Sequence, residues 1–563
     1  MKEMNFKPED KLEKWEDIEP YFNVLTEHSI SGSDDLQSYI KSAGHLGAFI
    51  DEKIARAYID MTCNTEDKKF VKLFQILTGE ISPKVEEAYF TIEKKIADSP
   101  YTKDLPEKYN LLLKRLKTSL ELYRENNLNA KAEESVITSQ YDQLTGSIMV
   151  NYQGEEYTLS QMSKFLETDN PEERENAWKA IAEKQYTNKN DLSAVFDRLF
   201  SLRNLIARNA DFENYRDYMF KAKQRFDYTP EDCFTFHESV EKEIVPLVAE
   251  INQYQRKRLG VKELFPWDMA GIPKGEKPLK PFETADELLE KTMKVYTRLR
   301  PSLGKNLETM KKHSLFDLAS RKGKAPGGYN YPLALTNMPF IFMNAVGSQK
   351  DVRTILHEGG HATHNFQTAD MELYEYKSTP SESAELASMS MELITMDFWD
   401  EFYPDKEELK RAKREQLESV ITLFPWVMIV DAIQHWIYTH PEHTPSERDE
   451  KFIELLKKYD TGMVNWTGLE KYKAQKWIYQ LHITTVPFYY IEYAIAQLGA
   501  LQIWKNYRQK PDKALDDYLN ALSLGSSRTL PEVYQAAGIE FNFSAGMIKD
   551  LMNFTKTELA KLQ

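Results

Sequence analysis

His357, Glu358 and His361 lie in the stretch TILHEGGHATHNF, residues 354–366, and their spacing is that of H-E-x-x-H. On a helix, residues four apart project from one face a turn above each other, so both imidazoles can reach a single ion. The chemistry of that arrangement is two zinc ligands, with a carboxylate beside them placed to take a proton from water. With 11 histidines in 563 residues, chance would yield the pattern in about 2 of 100 such chains. Chance does not call for Gly359 and Gly360, and each glycine inside a helix costs about 0.5–1 kcal/mol relative to alanine. A local rule broken inside a chemical motif points to function. Here the two glycines offer a Cβ-free surface that a substrate strand or a neighbouring helix can approach closely.

A third ligand must come from elsewhere. The metzincin pattern would need histidine at the eleventh position, which Gln367 occupies. The next segment, STPSESAELASMSMELIT, reads as a helix with Thr379 as N-cap, Pro380 at its first position and Glu382 closing a capping box. Glu385, one turn further on and 24 residues after His361, is then free to face the metal. Glu392 follows seven residues later on nearly the same face, where it could accept a hydrogen bond from a ligand histidine. His364 is read as a supporting or packing histidine, because a catalytic zinc keeps one position for water.

These residues need elements to hold them. Ser348 to Asp351 fits a helix-start box just ahead of the apolar Val352, Ile355 and Leu356. Upstream, APGGYNYPLALTNMPFIFMNAVGS is punctuated by glycine, and its PFIFMN core reads as a strand. The first 145 residues show helical periodicity, with Leu111, Leu112, Leu116 and Leu120 on one side of a helix, and the period changes to two around Gln153-Gly154, which predicts a hairpin. Helices resume at Asn170-Pro171, an N-cap followed by proline at the first helical position. Residues 260–283 form a proline-bearing loop that ends in a capping box at Thr284–Glu287. Two domains are expected, an N-terminal helical lobe over 1–195 with the hairpin and a catalytic lobe over 196–563, interwoven with each other.

Composition narrows the partners. The chain is 41% hydrophobic and 29% charged, with 22 Gly and 24 Pro, as in a helix-rich globular protein. A net charge of −15 argues against nucleic acid phosphates or anionic lipid as partners. Cys63 and Cys233 are too few and too far apart for a disulfide framework. The N-terminus lacks an apolar signal region, and the most apolar run, VITLFPWVMIV at 420–430, is too short to span a bilayer, so a cytoplasmic protein is expected.

Several motifs together resemble one family. HEGGHATH at 357–364, SAELASMSMEL at 383–393, the upstream PGGY and PFIFMN, QHWIYTHP at 434–441 and HITTVPFYYIEYAIAQLGALQIW at 482–504 resemble the thimet oligopeptidase and oligoendopeptidase F group of zinc peptidases, the Pz-peptidase-like bacterial members above all. One departure is Gly359, where the mammalian branch usually carries a bulky residue. The resemblance implies a mostly α, two-lobed helical ellipsoid with a deep channel and a small β-sheet next to the H-E-x-x-H helix. It implies one Zn2+ per chain held by His357, His361 and Glu385, Glu358 as general base, and His482, Tyr490 and Tyr493 acting on the substrate carbonyl and its oxyanion. Substrate contacts are expected from Gly327, Gly328, Tyr329, Phe342, Asn344 and His435, with PFIFMN receiving the peptide as an added strand. Substrates would be short peptides, including Pro- and Gly-containing collagen-derived ones, cut by a monomer or small homo-oligomer. Two other readings stay open from the residues alone, a helical zinc carboxypeptidase and a non-catalytic helical binding protein.

Overall fold

The structure, a computed structural model, describes residues 4–562. It is mostly helical, with five short strands: β1 (Met149–Tyr152), β2 (Glu155–Thr158), β3 (Phe316–Ala319), β4 (Tyr329–Leu333) and β5 (Met338–Ala345). The chain forms two compact units. Unit 1 is Met1–Glu121, Lys280–Lys410 and Ala496–Phe541; unit 2 is Leu122–Leu279, Arg411–Ile495 and Asn542–Gln563. A single boundary at 195 is not observed, because that position lies inside the continuous helix Pro171–Asn209. One of the observed crossings, between Leu279 and Lys280, falls in the proline-bearing loop.

Unit 1 has a helical core and a three-stranded sheet. Leu36, Tyr39, Ile40 and Phe49 of the helix Ser33–Cys63 pack with Leu112 and Leu116 of Asn110–Leu122. The leucine stripe thus faces inward as expected, although Leu111 and Leu120 are only half-buried. The sheet has the order β3-β5-β4, with β5 parallel to β3 and antiparallel to β4. PFIFMN is therefore a central strand with both edges already paired, and no peptide can add to it. Its burial on both faces fits a short, continuous apolar run better than a half-exposed edge.

The histidine helix, Gln349–Thr368, packs on this sheet. Its start is tightly fixed. Asp351 Oδ2 accepts from the backbone N–H groups of Val346, Gly347 and Ser348 at 2.9, 3.0 and 2.8 Å, and the Ser348 hydroxyl accepts in return from Asp351 N–H. The acidic helix, Ser381–Ile394, lies against it and starts one residue later than expected. Pro380 is the extended residue before that helix, at φ −55° and ψ 146°, and no side chain caps it, so the capping box read at Thr379 and Glu382 does not form.

The glycine pair explains how these two helices meet. A Cβ on Gly360 would stand 2.6 Å from Ser388 Cα and 2.7 Å from the Ala387 carbonyl oxygen of the acidic helix. A Cβ on Gly359 would stand 2.2 Å from the Tyr296 hydroxyl, which donates to the Leu356 carbonyl at 2.9 Å. The close neighbour is a packed helix on one side and a tyrosine on the other.

Unit 2 contains the hairpin β1-β2, closed by Gln153 (φ 52°) and Gly154 (φ 87°), the pair of positive φ values that a two-residue type I′ turn requires. Among the described residues one helix, Lys406–Thr439, is long and apolar enough to cross a membrane. Its apolar window is 72% buried within the protein, as in a core helix. The apolar run ending at Asp431 is therefore part of a longer helix than its own length suggests.

Gly360→Ala must push the acidic helix away from the histidine helix. Overpacking against backbone costs about 1–3 kcal/mol, so the variant should unfold at a lower denaturant concentration with an unchanged slope. An unchanged midpoint would show that the two backbones are not in contact.

Candidate metal centre and active site

The helix packing delivers three donors to one point. His357 Nε2 lies 3.3 Å and His361 Nε2 3.8 Å from the same oxygen, Oε2 of Glu385. All three donor atoms fall within 4.8 Å of one another. Donors bonded at 2.0–2.1 Å to one tetrahedral ion stand about 3.3 Å apart, so the set already has the spacing that a shared zinc needs. The two rings meet edge to face with centroids 4.9 Å apart, as expected of side chains on successive turns. The imidazoles keep 22% and 19% of their surface open while Glu385 is buried, which leaves one side of the centre free for a reacting group.

Supporting contacts fix each donor. His357 Nδ1 donates to Glu392 Oε1 at 2.8 Å, which leaves Nε2 as the nitrogen that faces Glu385. Ser388 Oγ donates to Glu385 Oε2 at 3.0 Å. Glu358 is 6% exposed, and Asn330 of β4 donates to its backbone carbonyl at 3.3 Å, tying the sheet to the helix at the motif. Burial pushes the Glu358 carboxyl up to about 7, against the pull of the neighbouring His357. Burial likewise takes His361 down to about 4, so its ring is held neutral, the form that ligates a metal. With Glu385 and Glu392 flanking His357, the pocket is strongly anionic and calls for a cation. Two imidazoles and a carboxylate form a donor set that zinc accepts.

Other expected residues are placed less directly. His364 is buried, but it does not join the donor group, and burial takes its ring down to about 3. Phe342 is fully buried and stacked on Tyr329, with centroids 4.7 Å apart, so it is a core position rather than a substrate contact. The Tyr329 hydroxyl is bonded to Thr62 Oγ1 at 2.6 Å. Asn344 Nδ2 donates to the carbonyls of Ala325 and Gly327, at 2.8 and 2.9 Å, and so clasps the glycine loop. Gly327 has φ 100°, where a side chain would be strained, and a Cβ on Gly328 would crowd Thr354 at 3.3 Å.

In unit 2, His482, Tyr490 and Tyr493 form one aromatic cluster. The His482 ring lies 4.7 Å from Tyr490 and 5.8 Å from Tyr493, and the two tyrosines are 5.3 Å apart. They do not share a helix face, because the helix Ile491–Gln509 begins after Tyr490, which sits in the preceding turn. That turn is shaped by Phe488, a bulky residue at φ 61°. Its N–H donates to Gln434 Oε1 at 2.7 Å, while Arg225 donates to its carbonyl and to Glu492 Oε1. His482 Nδ1 accepts from Gln480 at 2.8 Å, and Gln480 Oε1 in turn accepts from Trp426. Burial pushes the Tyr490 hydroxyl up to about 12, which keeps it a donor. His435 lies elsewhere, buried against the rings of Phe220, Phe234 and Phe488. His440 stacks on Trp436, and His443 Nε2 accepts from Arg448.

Comparison with known proteins agrees with this geometry. The model of "Peptidase family M3" matches residues 164–553, and that of the "Peptidase M3 N-terminal domain" matches residues 8–123. The chain belongs to peptidase family M3. It is accordingly a metalloendopeptidase, which sets aside the carboxypeptidase and binding-protein readings. An oligoendopeptidase F homolog of Borreliella burgdorferi is 23% identical over 412 residues, covering 72% of this chain and 68% of that one. Oligopeptidase PepF of Bacillus subtilis is 25% identical over 389 residues, covering 67% and 55%. Among solved structures, PZ peptidase A with an inhibitor superposes with a TM-score of 0.90 at 28% identity over 99% of both chains. Oligoendopeptidase F from Enterococcus faecium, at 16% identity and a TM-score of 0.68 over 97% of both chains, shares the fold.

For this M3 peptidase, sequence reasoning missed the residues that hold the donors in place. Tyr296, Asn330, Arg225 and Gln434 act through contacts between distant segments that no local spacing announces, whereas Ser388 bonds Glu385 three residues before it on one helix. Glu392 is the exception, legible from helical periodicity. Glu392→Gln should keep the fold and weaken metal retention about 10–100-fold, measured by competition with a chelator. Unchanged affinity would show that the His357–Glu392 bond does not orient the ligand.

Proposed function

We propose that this M3 metalloendopeptidase is a zinc enzyme that cuts internal bonds of short, unstructured peptides. The observation that carries the reading is the convergence of His357, His361 and Glu385 beside the buried Glu358. His357, His361 and Glu385 would hold the ion, and Glu392 would orient His357. When bound, zinc supplies Lewis acidity toward water and the scissile carbonyl. Glu358 takes a proton from the attacking water as its oxygen bonds to the carbonyl carbon. It then returns that proton to the amine nitrogen as the C–N bond breaks, giving a carboxylate and a free amine. His482 and the hydroxyls of Tyr490 and Tyr493 are assigned to the substrate carbonyl oxygen and its developing charge. Their support is the clustering of the three rings and the family resemblance.

Substrate size follows from recession of the centre. Glu358 is 6% exposed, so a peptide bond must be brought to it on extended, flexible chain, which a folded protein does not offer. Peptides containing Pro and Gly, collagen-derived ones among them, are proposed as favoured substrates. The likeness to a protein titled PZ peptidase A supports this preference.

Glu358→Gln should bind zinc as the native chain does and lose at least about 10²-fold in kcat, the usual scale of a general base. The assay is cleavage of an end-blocked, internally quenched peptide, with metal content measured alongside. Turnover near the native rate would remove Glu358 from the mechanism.

A further inference from the structure

Unit 2 contains a second convergent set of metal-ligating side chains, remote in sequence from the first. The helix Pro230–Glu243 presents Cys233 and His237 four residues apart, and Lys406–Thr439 presents Asp431 and His435 at the same spacing. Each pair therefore lies on one face of its helix, a turn apart. All four are buried, at 2%, 5%, 0% and 3% exposure in the order named. A Cys233 sulfur, an Asp431 oxygen and a His435 ring nitrogen fall within 4.8 Å of one another. His237 Nε2 lies 2.8 Å and His435 Nε2 3.1 Å from the same oxygen, Asp431 Oδ2. The two rings stand edge to face with centroids 6.0 Å apart.

Hydrogen bonding accounts for only part of this cluster: His237 Nε2 donates to Asp431 Oδ2 at 2.8 Å. Asp431 Oδ1 and His435 Nδ1 have no hydrogen-bond partner, and His435 Nε2 makes only the 3.1 Å ionic approach to Asp431 Oδ2. Buried polar atoms left this way are costly to desolvate. The surroundings offer little to relieve them, since Phe220, Phe234 and Phe488 wall His435 at centroid distances of 5.8, 4.9 and 5.5 Å. A cation satisfies the lone pairs at once. A thiolate and a carboxylate around a dication also sum to zero net charge, the condition under which a buried ionic site is tolerable.

We propose that Cys233, His237, Asp431 and His435 bind a second zinc ion, one that is structural. Thiolate with imidazole selects zinc over magnesium or calcium, and four protein ligands close a tetrahedral site to substrate and water. Side-chain rotation narrows the observed spread to the ~3.3–3.8 Å separations of donors around one such ion. The ion clips two helices together beside the strained turn at Phe488. His435 packs on the Phe488 ring, and its neighbour Gln434 accepts from the Phe488 N–H. The site thus braces the segment that carries Tyr490.

Metal analysis of the full chain tests this. The native protein should contain two zinc ions, and His361→Ala and Cys233→Ser should each contain one. Cobalt loaded into the His361→Ala protein should show a thiolate-to-cobalt charge-transfer band. That band should survive Cys63→Ser, the other cysteine, and vanish with Cys233→Ser. One ion in the native chain, none in His361→Ala and no thiolate band would overturn the proposal. Those readouts stand even where Cys233→Ser folds poorly. A single ion removed by Cys233→Ser but kept by His361→Ala would support this site and count against the first.

Discussion

The close approach of two helices at Gly360 sets the position of every donor in the metal centre. Ser388 Cα stands 2.6 Å from where a Cβ on Gly360 would be, and Glu385 is one turn before Ser388, on the face turned toward His357 and His361. Were the helices held apart by a side chain of ordinary size, the Glu385 oxygen could not stand 3.3 Å from His357 Nε2. Two glycines therefore cost the histidine helix some local stability and secure the distance that ligation needs. Tyr296 completes the arrangement. It fills the space above Gly359 and bonds to the Leu356 carbonyl, next to the first ligand.

Charge is the second constraint that the packing imposes. Glu385 lies against both imidazoles, Glu392 bonds His357, and Glu358 is buried beside them. Three carboxylates gathered this way repel one another and are tolerable only around positive charge. The fold is thus arranged for a cation at this point, and the same carboxylates divide the work. Glu385 faces both imidazoles, Glu392 holds a ring by its far nitrogen, and Glu358 is left to move a proton. In unit 2 the corresponding constraint is backbone strain at Phe488, held by Gln434 and Arg225.

Much of this was legible locally. Residue types at helical spacing put His357 and His361 on one face, and Glu385 joins them although the capping box read at Thr379 and Glu382 does not form. Ser348 and Asp351 mark the start of their helix, and Gln153-Gly154 marks a hairpin, because caps and tight turns depend on a few adjacent residues. What local pattern could not carry was pairing between distant segments. PFIFMN reads as a strand, yet whether it is an edge or a centre depends on β3 and β4, and it is the centre. Phe342 is expected to touch substrate, but it is fully buried and stacks on Tyr329 because their strands pair in that register. A boundary at 195 failed for the same reason, since chain order says little about which helices share a core. Tyr490 lies before its helix, because Pro487 and the turn at Phe488 delay that helix to Ile491.

The account rests on one ion held by the histidine pair and Glu385. X-ray diffraction from crystals of the native protein, with data collected on both sides of the zinc absorption edge, locates such an ion directly. The expected result is an anomalous peak about 2.0–2.2 Å from His357 Nε2, His361 Nε2 and a Glu385 carboxylate oxygen. A map of zinc-replete protein without a peak at that point, or with those side chains turned away from it, would contradict the account.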